Sequence, residues 1–274
     1  MADLRDFPDL SRRESAEDEE NARRALFAAF GMVETLHERF RDYSVVSGTA
    51  LAGDDAATPF EHLSSQVETC IAVAFDNLRS VKLIMQDAGT VPAFSHFGLV
   101  RNAIEGAGIG LWLLGPALRD ERVLRSLQSS FESRKDIHSL ESAIEGTFVR
   151  LPTDDPARVR LEELRDSRPA NVGRSLNPPT ITDRLKDAQN YSRDSGDFSL
   201  LVVWKMTSGV AHGQRSALYA MLDREVLSTD DVGARINMTS SLSTIAGTYR
   251  LAVHYLMDLL VLLLNRNGTP LSLG

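Results

Sequence analysis

The feature that most constrains this chain is the three- and four-residue recurrence of its apolar side chains. Leu26, Phe30, Val33, Leu36, Phe40 and Tyr43 recur at that spacing, which places them on one face of a helix because 3.6 residues complete a turn. A second stripe runs through Phe60, Leu63, Val67, Ile71, Ala74, Leu78 and Val81, after the loop "AGDDAATP". A third, less polar helix spans "FSHFGLVRNAIEGAGIGLWLLGP", and a fourth runs through Leu124, Leu127 and Phe131 towards Ile144. Two more, "DFSLLVVWKMTSGVAHGQRSALYAML" and "TSSLSTIAGTYRLAVHYLMDLLVLLLNRNG", close the chain. No strong strand signal accompanies them; "VGARINM" is compatible with extended chain, but one short piece does not make a sheet. The expected fold is all-α: a bundle of long antiparallel helices, with those over 91–114, 197–222 and 239–265 in its core.

Within the third helix, Gly106 and Gly110 lie one turn apart, as do Ala103 and Ala107. A mid-helix glycine costs about 1 kcal/mol against alanine, so close approach of another helix is the expected compensation. From residue 146 to 197 the composition shifts to proline, serine and charge, as in "RLPTDDPARVR" and "DSRPANVGRSLNPPT", with short helical pieces such as "TDRLKDAQNY" between. This stretch has too few apolar residues for its own core and is expected to be an irregular insertion or lid within a single domain spanning 1–274. Residues 1–20 are expected to form a flexible acidic tail, although Ser15 and the acids of "SAEDEE" also suit a helix N-terminus.

The formal net charge of −8 argues against general DNA or RNA coating, which needs a basic surface, but leaves room for a local basic site. A single cysteine, Cys70, cannot form an internal disulfide and suits the reducing cytoplasm; in its apolar stripe the thiol is expected to be inert. The apolar run "LAVHYLMDLLVLLLN" is shorter than a bilayer-spanning helix and carries His254 and Asp258. A buried core helix without a membrane role is expected. The apolar surface of these long helices exceeds what one bundle needs, so a homodimer is expected, two-fold closure being the common case.

One segment stands apart. In "WKMTSGVAHGQRSALYAML", Lys205, Ser208, His212 and Arg215 are spaced by three, four and three residues. On a continuous helix they form one polar stripe, with Trp204 beside it and Gly209 and Gly213 leaving room for a backbone or ligand. A histidine moves protons near neutrality and neighbouring cations stabilise phosphate, the requirement of metal-independent RNA cleavage or of binding an anionic ligand in a local cleft. The structural alternative has His212 bonded to a neighbouring helix. Arg101 and Glu105 lie one turn apart among apolar and small residues; they form either a helix-orienting ion pair or, with Trp204, a binding group facing His212. Arg119, Arg122 and Arg125 are read as solvated surface, the alternative being that they line the same cleft. Glu34 and His37 form one Glu-x-x-His, but di-iron bundles need a second such motif and two more carboxylates, so no metal is expected. There is no P-loop, dinucleotide fingerprint or nucleophile elbow, so no cofactor is expected.

With these residues stated, the C-terminal half resembles a broad set of bacterial helical proteins that share an R-x-x-x-E helix, here Arg101 to Glu105, and a later W-x-x-x-S-x-x-x-H-G, here Trp204, Ser208, His212 and Gly213. It also resembles the HEPN superfamily of helical bundles, several of which are ribonucleases of toxin–antitoxin and antiviral systems. Their signature is an arginine, four to six intervening residues and a histidine; here Lys205 occupies the matching position, six residues before His212. Lysine cannot reproduce arginine's bidentate grip on phosphate. The resemblance implies either a metal-independent ribonuclease with His212 as general acid/base and Lys205 or Arg215 on the phosphate, or a non-catalytic relative that binds a partner.

Overall fold

The computed structural model describes residues 11–193, 198–230 and 233–269. The chain is 68% helical, with ten α-helices and one two-stranded sheet among the described residues. The all-α expectation therefore holds in its main part. The helices are α1 (Ala16–Phe40), α2 (Ala50–Ala56), α3 (Leu63–Lys82), α4 (Ser95–Leu114), α5 (Arg119–Glu145), α6 (Pro156–Asp166), α7 (Ile181–Ala188), α8 (Leu200–Ala211), α9 (Arg215–Met221) and α10 (Leu242–Arg266). The strands β1 (Leu222–Thr229) and β2 (Ala234–Ser240) lie between α9 and α10.

The chain divides into two compact units. One comprises residues 1–43, 72–107 and 194–257; the other comprises 44–71, 108–193 and 258–274. Residues of α3, α4 and α10 contribute to both.

In the first unit α1 begins where its sequence says it should. Ser15 accepts the Asp18 amide, and Glu17, Asp18 and Glu19 fill the first turn, where the helix dipole favours anions. Residues 16–20 are thus helix rather than tail, and the residues just before them are also engaged. Arg12 exchanges backbone hydrogen bonds with Arg224 at 3.0 and 2.7 Å, and the Glu14 carboxylate accepts the amides of Leu242 and Ser243 at 2.5 and 3.0 Å, capping α10. The part of the expected tail at 1–10 lies outside the described residues. Buried Phe30 meets the edge of Tyr249 at 5.0 Å, and the Tyr249 hydroxyl donates to the Leu78 carbonyl, which ties α1, α3 and α10 together.

The expected single helix over 197–222 is broken. α8 ends at Ala211, and α9 restarts at Arg215. Gly213 adopts φ +67°, its amide donates to the Val210 carbonyl, and the Gln214 amide donates to Gly209, the paired bonds of a Schellman stop. Gly209 serves the return of the chain: a Cβ there would lie 2.6 Å from the Ala217 Cβ on α9. α9 then leads into β1, which pairs antiparallel with β2, Leu222 opposite Ser240 and Val226 opposite Ile236. "VGARINM" is extended from Ala234, but its partner strand lies in "LDREVLST", which follows a helix with no intervening breaker.

In the second unit the stretch from 146 contains α6, α7 and two short 3₁₀ turns, Pro169–Asn171 and Gln189–Tyr191. It builds a core by borrowing: Leu161 and Leu176 pack with Val123, Leu127 and Phe131 of α5. The end of the expected insertion, 194–197, is outside the described residues. Gly110 explains its own cost, since a Cβ there would lie 2.5 Å from Leu259; α10 approaches α4 at that point. α10 is long and apolar enough to cross a membrane by length and composition, and 56% of its most apolar window is buried in the protein. Asp258 on it is buried and accepts Ser192 Oγ at 2.5 Å and Arg193 Nε at 2.6 Å.

Candidate functional site

The helix break redistributes the stripe predicted around His212. Lys205 and Ser208 remain on α8, Lys205 exposed and Ser208 half-buried. His212 is the C-cap of α8, its amide donating to the Ser208 carbonyl at 3.0 Å. Its imidazole is exposed and makes no hydrogen bond or ion pair among the described residues. Arg215 opens α9, with its guanidinium 5.5 Å from the centre of the Tyr219 ring. The four residues do not share one helical face, because three residues of non-helical backbone separate α8 from α9. The structural alternative for His212, a bond to a neighbouring helix, is not what the fold contains either.

Arg101, Glu105 and Trp204 do come together, all within the first unit. Glu105 Oε2 accepts Arg101 Nη2 at 2.9 Å and Trp204 Nε1 at 2.8 Å. The Arg101 guanidinium lies 5.3 Å from the Trp204 ring centre, in cation–π range. Arg101 Nη1 donates to Asn102 Oδ1 at 3.1 Å. α4 and α8 are therefore joined by one carboxylate that satisfies an indole and a guanidinium at once, about a quarter of each charged side chain remaining exposed. A carboxylate so engaged holds two helices; among the described residues no hydrogen bond or ion pair links it, or Arg101, to His212. Arg101 Nε is buried without a hydrogen-bond partner among the described residues.

Among the described residues no group of three or more His, Cys, Asp or Glu side chains could hold a metal ion. Glu34 instead pairs with Arg79 at 3.2 Å, and His37 meets the edge of Phe75 at 5.2 Å. Burial pushes the Cys70 thiol up to about 12, so it carries no thiolate at neutral pH.

Several charged and titratable side chains have roles that periodicity did not reveal. Arg122 is buried against Asp54, and Arg125 is largely buried, donating to the Trp112 carbonyl at 2.6 Å and pairing with Asp187 at 2.8 Å. These two are not the solvated surface expected of them; only Arg119, about half exposed, partly fits that description. Trp112 carries Arg125 at 5.3 Å and Arg184 at 5.6 Å from its ring centre. His96 is fully buried with Nε2 3.3 Å from Ser240 Oγ, and burial lowers its pKa to about 4, so it is neutral. Because Ser240 Oγ also donates to the Ala93 carbonyl at 2.8 Å, this pair fastens the loop before α4 to β2. A cavity of about 680 Å³ opens between α5 and α6, edged by Phe60 under Arg160 at 4.2 Å.

The chain matches no protein-family model, no curated protein sequence and no solved structure.

Proposed function

We propose that this chain is a HEPN-like helical protein whose role is binding and interaction rather than catalysis, and that it works as a homodimer. The observation that carries the reading is the outer face of α5. Ile137, Leu140 and Ile144 recur there at three- and four-residue spacing and are 52%, 63% and 79% exposed. Isolated exposed aliphatic residues are ordinary; three on one stripe form a patch of the kind that marks an interaction surface. A two-fold interface pairs the same patch on both copies, and an aliphatic stripe meets itself without like-charge repulsion, so a second copy is the partner proposed. Against a catalytic role stand the lysine at position 205 and the lack, among the described residues, of a hydrogen-bonded group orienting the His212 imidazole, which general acid/base catalysis requires at hydrogen-bond reach.

The test has two arms. Sedimentation should give a dimer at micromolar concentration that Leu140→Asp together with Ile144→Asp converts to monomer without loss of helical circular dichroism; a wild-type monomer sinks the homodimer. Incubation with single-stranded and hairpin RNA in chelator should leave the RNA intact. Cleavage that disappears in His212→Ala would instead establish the ribonuclease. Because His212 is exposed and unbonded, that substitution should shift stability by less than about 0.5 kcal/mol, so loss of cleavage could not be blamed on unfolding.

A further inference from the structure

The opposite side of α5 lines a second cavity, of about 610 Å³, within the second unit. Its walls are α5, the chain from 148 to 151, Arg158 of α6 and Asn177. α5 ends at Gly146, whose φ of +72° lets the Thr147 amide return to the Ser142 carbonyl at 2.9 Å. That turn carries Phe148, Val149 and Arg150 back along the helix, and the Ser142 hydroxyl donates to the Val149 carbonyl at 3.4 Å. Phe148 pays for the path with a φ of +49°, a conformation that costs a non-glycine residue of order 1 kcal/mol or more and that concentrates at functional sites.

The charges in this cavity are of one sign. Lys135, Arg150 and Arg158 line it with His138, and no carboxylate is among its lining residues, in a chain whose net charge is −8. Two acids pair with its lining side chains: Glu162 takes Arg158 Nε at 2.9 Å, and Glu141 lies 4.0 Å from His138 Nδ1. They leave much of the donor capacity open. Arg150 is exposed and makes no hydrogen bond or ion pair among the described residues. His138 Nε2 is buried without a hydrogen-bond partner, a state that a native interior rarely tolerates unless a ligand or water completes it. Lys135 donates to Asn177 Oδ1 at 3.0 Å and lies over Phe131, which Arg158 also approaches at 5.9 Å. Lys135, Arg150 and Arg158 together with Phe131, Phe148, Val149 and Leu151 make an amphipathic chamber. Its volume falls in the range of small-molecule sites, roughly 300–1,000 Å³.

We propose that this cavity binds a phosphate monoester with an aromatic or aliphatic body. The phosphate is held by Arg150, Arg158 and Lys135, with His138 Nε2 within the same chamber, and the body lies against Phe131 and Phe148. Arginine supplies the planar fork that phosphate favours, and several charge-assisted bonds to one dianion give both orientation and affinity. The site does not depend on the dimer, since Lys135, His138 and Ser142 recur on a different face of α5 from Ile137, Leu140 and Ile144.

Two phosphate monoesters of unlike body, AMP and phenyl phosphate, serve as probes by calorimetry on the full chain, beside inorganic phosphate, adenosine and phenol. At least one ester should bind about tenfold or more tightly than inorganic phosphate and than its own dephosphorylated body. Arg150→Ala should weaken that binding about tenfold, with partial recovery in Arg150→Lys; as Arg150 is exposed and unbonded, the melting temperature should not move. Phe148→Ser should weaken the ester but not inorganic phosphate. Failure of both esters to bind at millimolar concentration overturns the proposal, as does ester binding that neither Arg150→Ala nor Arg158→Ala changes.

Discussion

Arg122 and Asp54 form a bidentate ion pair that water does not reach. Nε lies 2.7 Å from Oδ2 and Nη2 lies 2.9 Å from Oδ1, and the two side chains are 3% and 0% exposed. Arg122 Nη1 donates to the carbonyls of Pro116 and Ala117, both at 2.8 Å, and Arg119 Nε adds a third donor to Asp54 at 3.1 Å. The pair thus fixes α2 and the turn before α5 to one another.

A buried pair with satisfied geometry is nearly neutral against a hydrophobic replacement, but a lone buried charge is costly. Asp54→Ala should therefore destabilise the protein by about 3–5 kcal/mol, Arg122 being left without its carboxylate. The double variant Asp54→Leu with Arg122→Met should recover most of that loss. Denaturant unfolding of the three proteins checks the claim; a double variant as unstable as the single one would show that the carbonyl contacts of Arg122, not the ion pair, hold the turn.

The sequence makes some of this plain and conceals the rest for identifiable reasons. α1, α3, α4, α5 and α10 are legible because each repeats its apolar face over several turns, so chance matches are few. α2 is hidden in "AGDDAATP", where its two aspartates and short length imitate a loop. Asp54 is 68 residues from Arg122, and no local pattern says that they meet. Arg122 and Arg125 look like surface because charge on a helix is normally solvated. Arg101 and Glu105 are legible as a pair one helical turn apart, but no local pattern says that Trp204, 99 residues from Glu105, meets them. The His212 stripe failed because the periodicity of "SGVAHGQRSALYAML" continues across a glycine that stops the helix. β1 escaped for a related reason: it begins directly after α9, and only Val226 and Ile236 form an apolar cross-strand pair in its middle.

That stop at Gly213 is itself testable. Its φ of +67° costs an L-residue about 1–2 kcal/mol, and nothing lies within 4 Å of where its Cβ would be. Gly213→Ala should lower stability by about that amount through backbone strain alone, and Gly213→Asn by less, because asparagine tolerates the left-handed region. Gly209→Val should act differently. Its Cβ would press on Ala217 at 2.6 Å and force α9 away from α8. Loss of stability in Gly209→Val should be partly relieved by Ala217→Gly, whereas the Gly213→Ala deficit should not change with residue 217. Thermal unfolding of these single and double variants separates strain from overlap.

Acid should act on the protein in part through Asp155. This carboxylate caps α6, accepting the Arg158 amide at 3.0 Å, and receives Arg134 Nη2 at 2.8 Å. The Arg134 hydrogen bond, then the bond from the helix amide, lowers its pKa below the ordinary aspartate value. A carboxyl whose folded pKa is depressed binds fewer protons folded than unfolded, so its contribution is fully present above the unfolded value. It is lost as the pH falls from about 4 down through the folded value. Asp155→Asn retains a capping oxygen but not the charge that holds Arg134. The variant should therefore be less stable than the wild type at pH 7, and the gap should narrow as the pH falls below about 4. Urea unfolding at several pH values measures it. A gap that stays constant down to pH 2 would assign the stabilisation to the cap alone and remove Arg134 from the account.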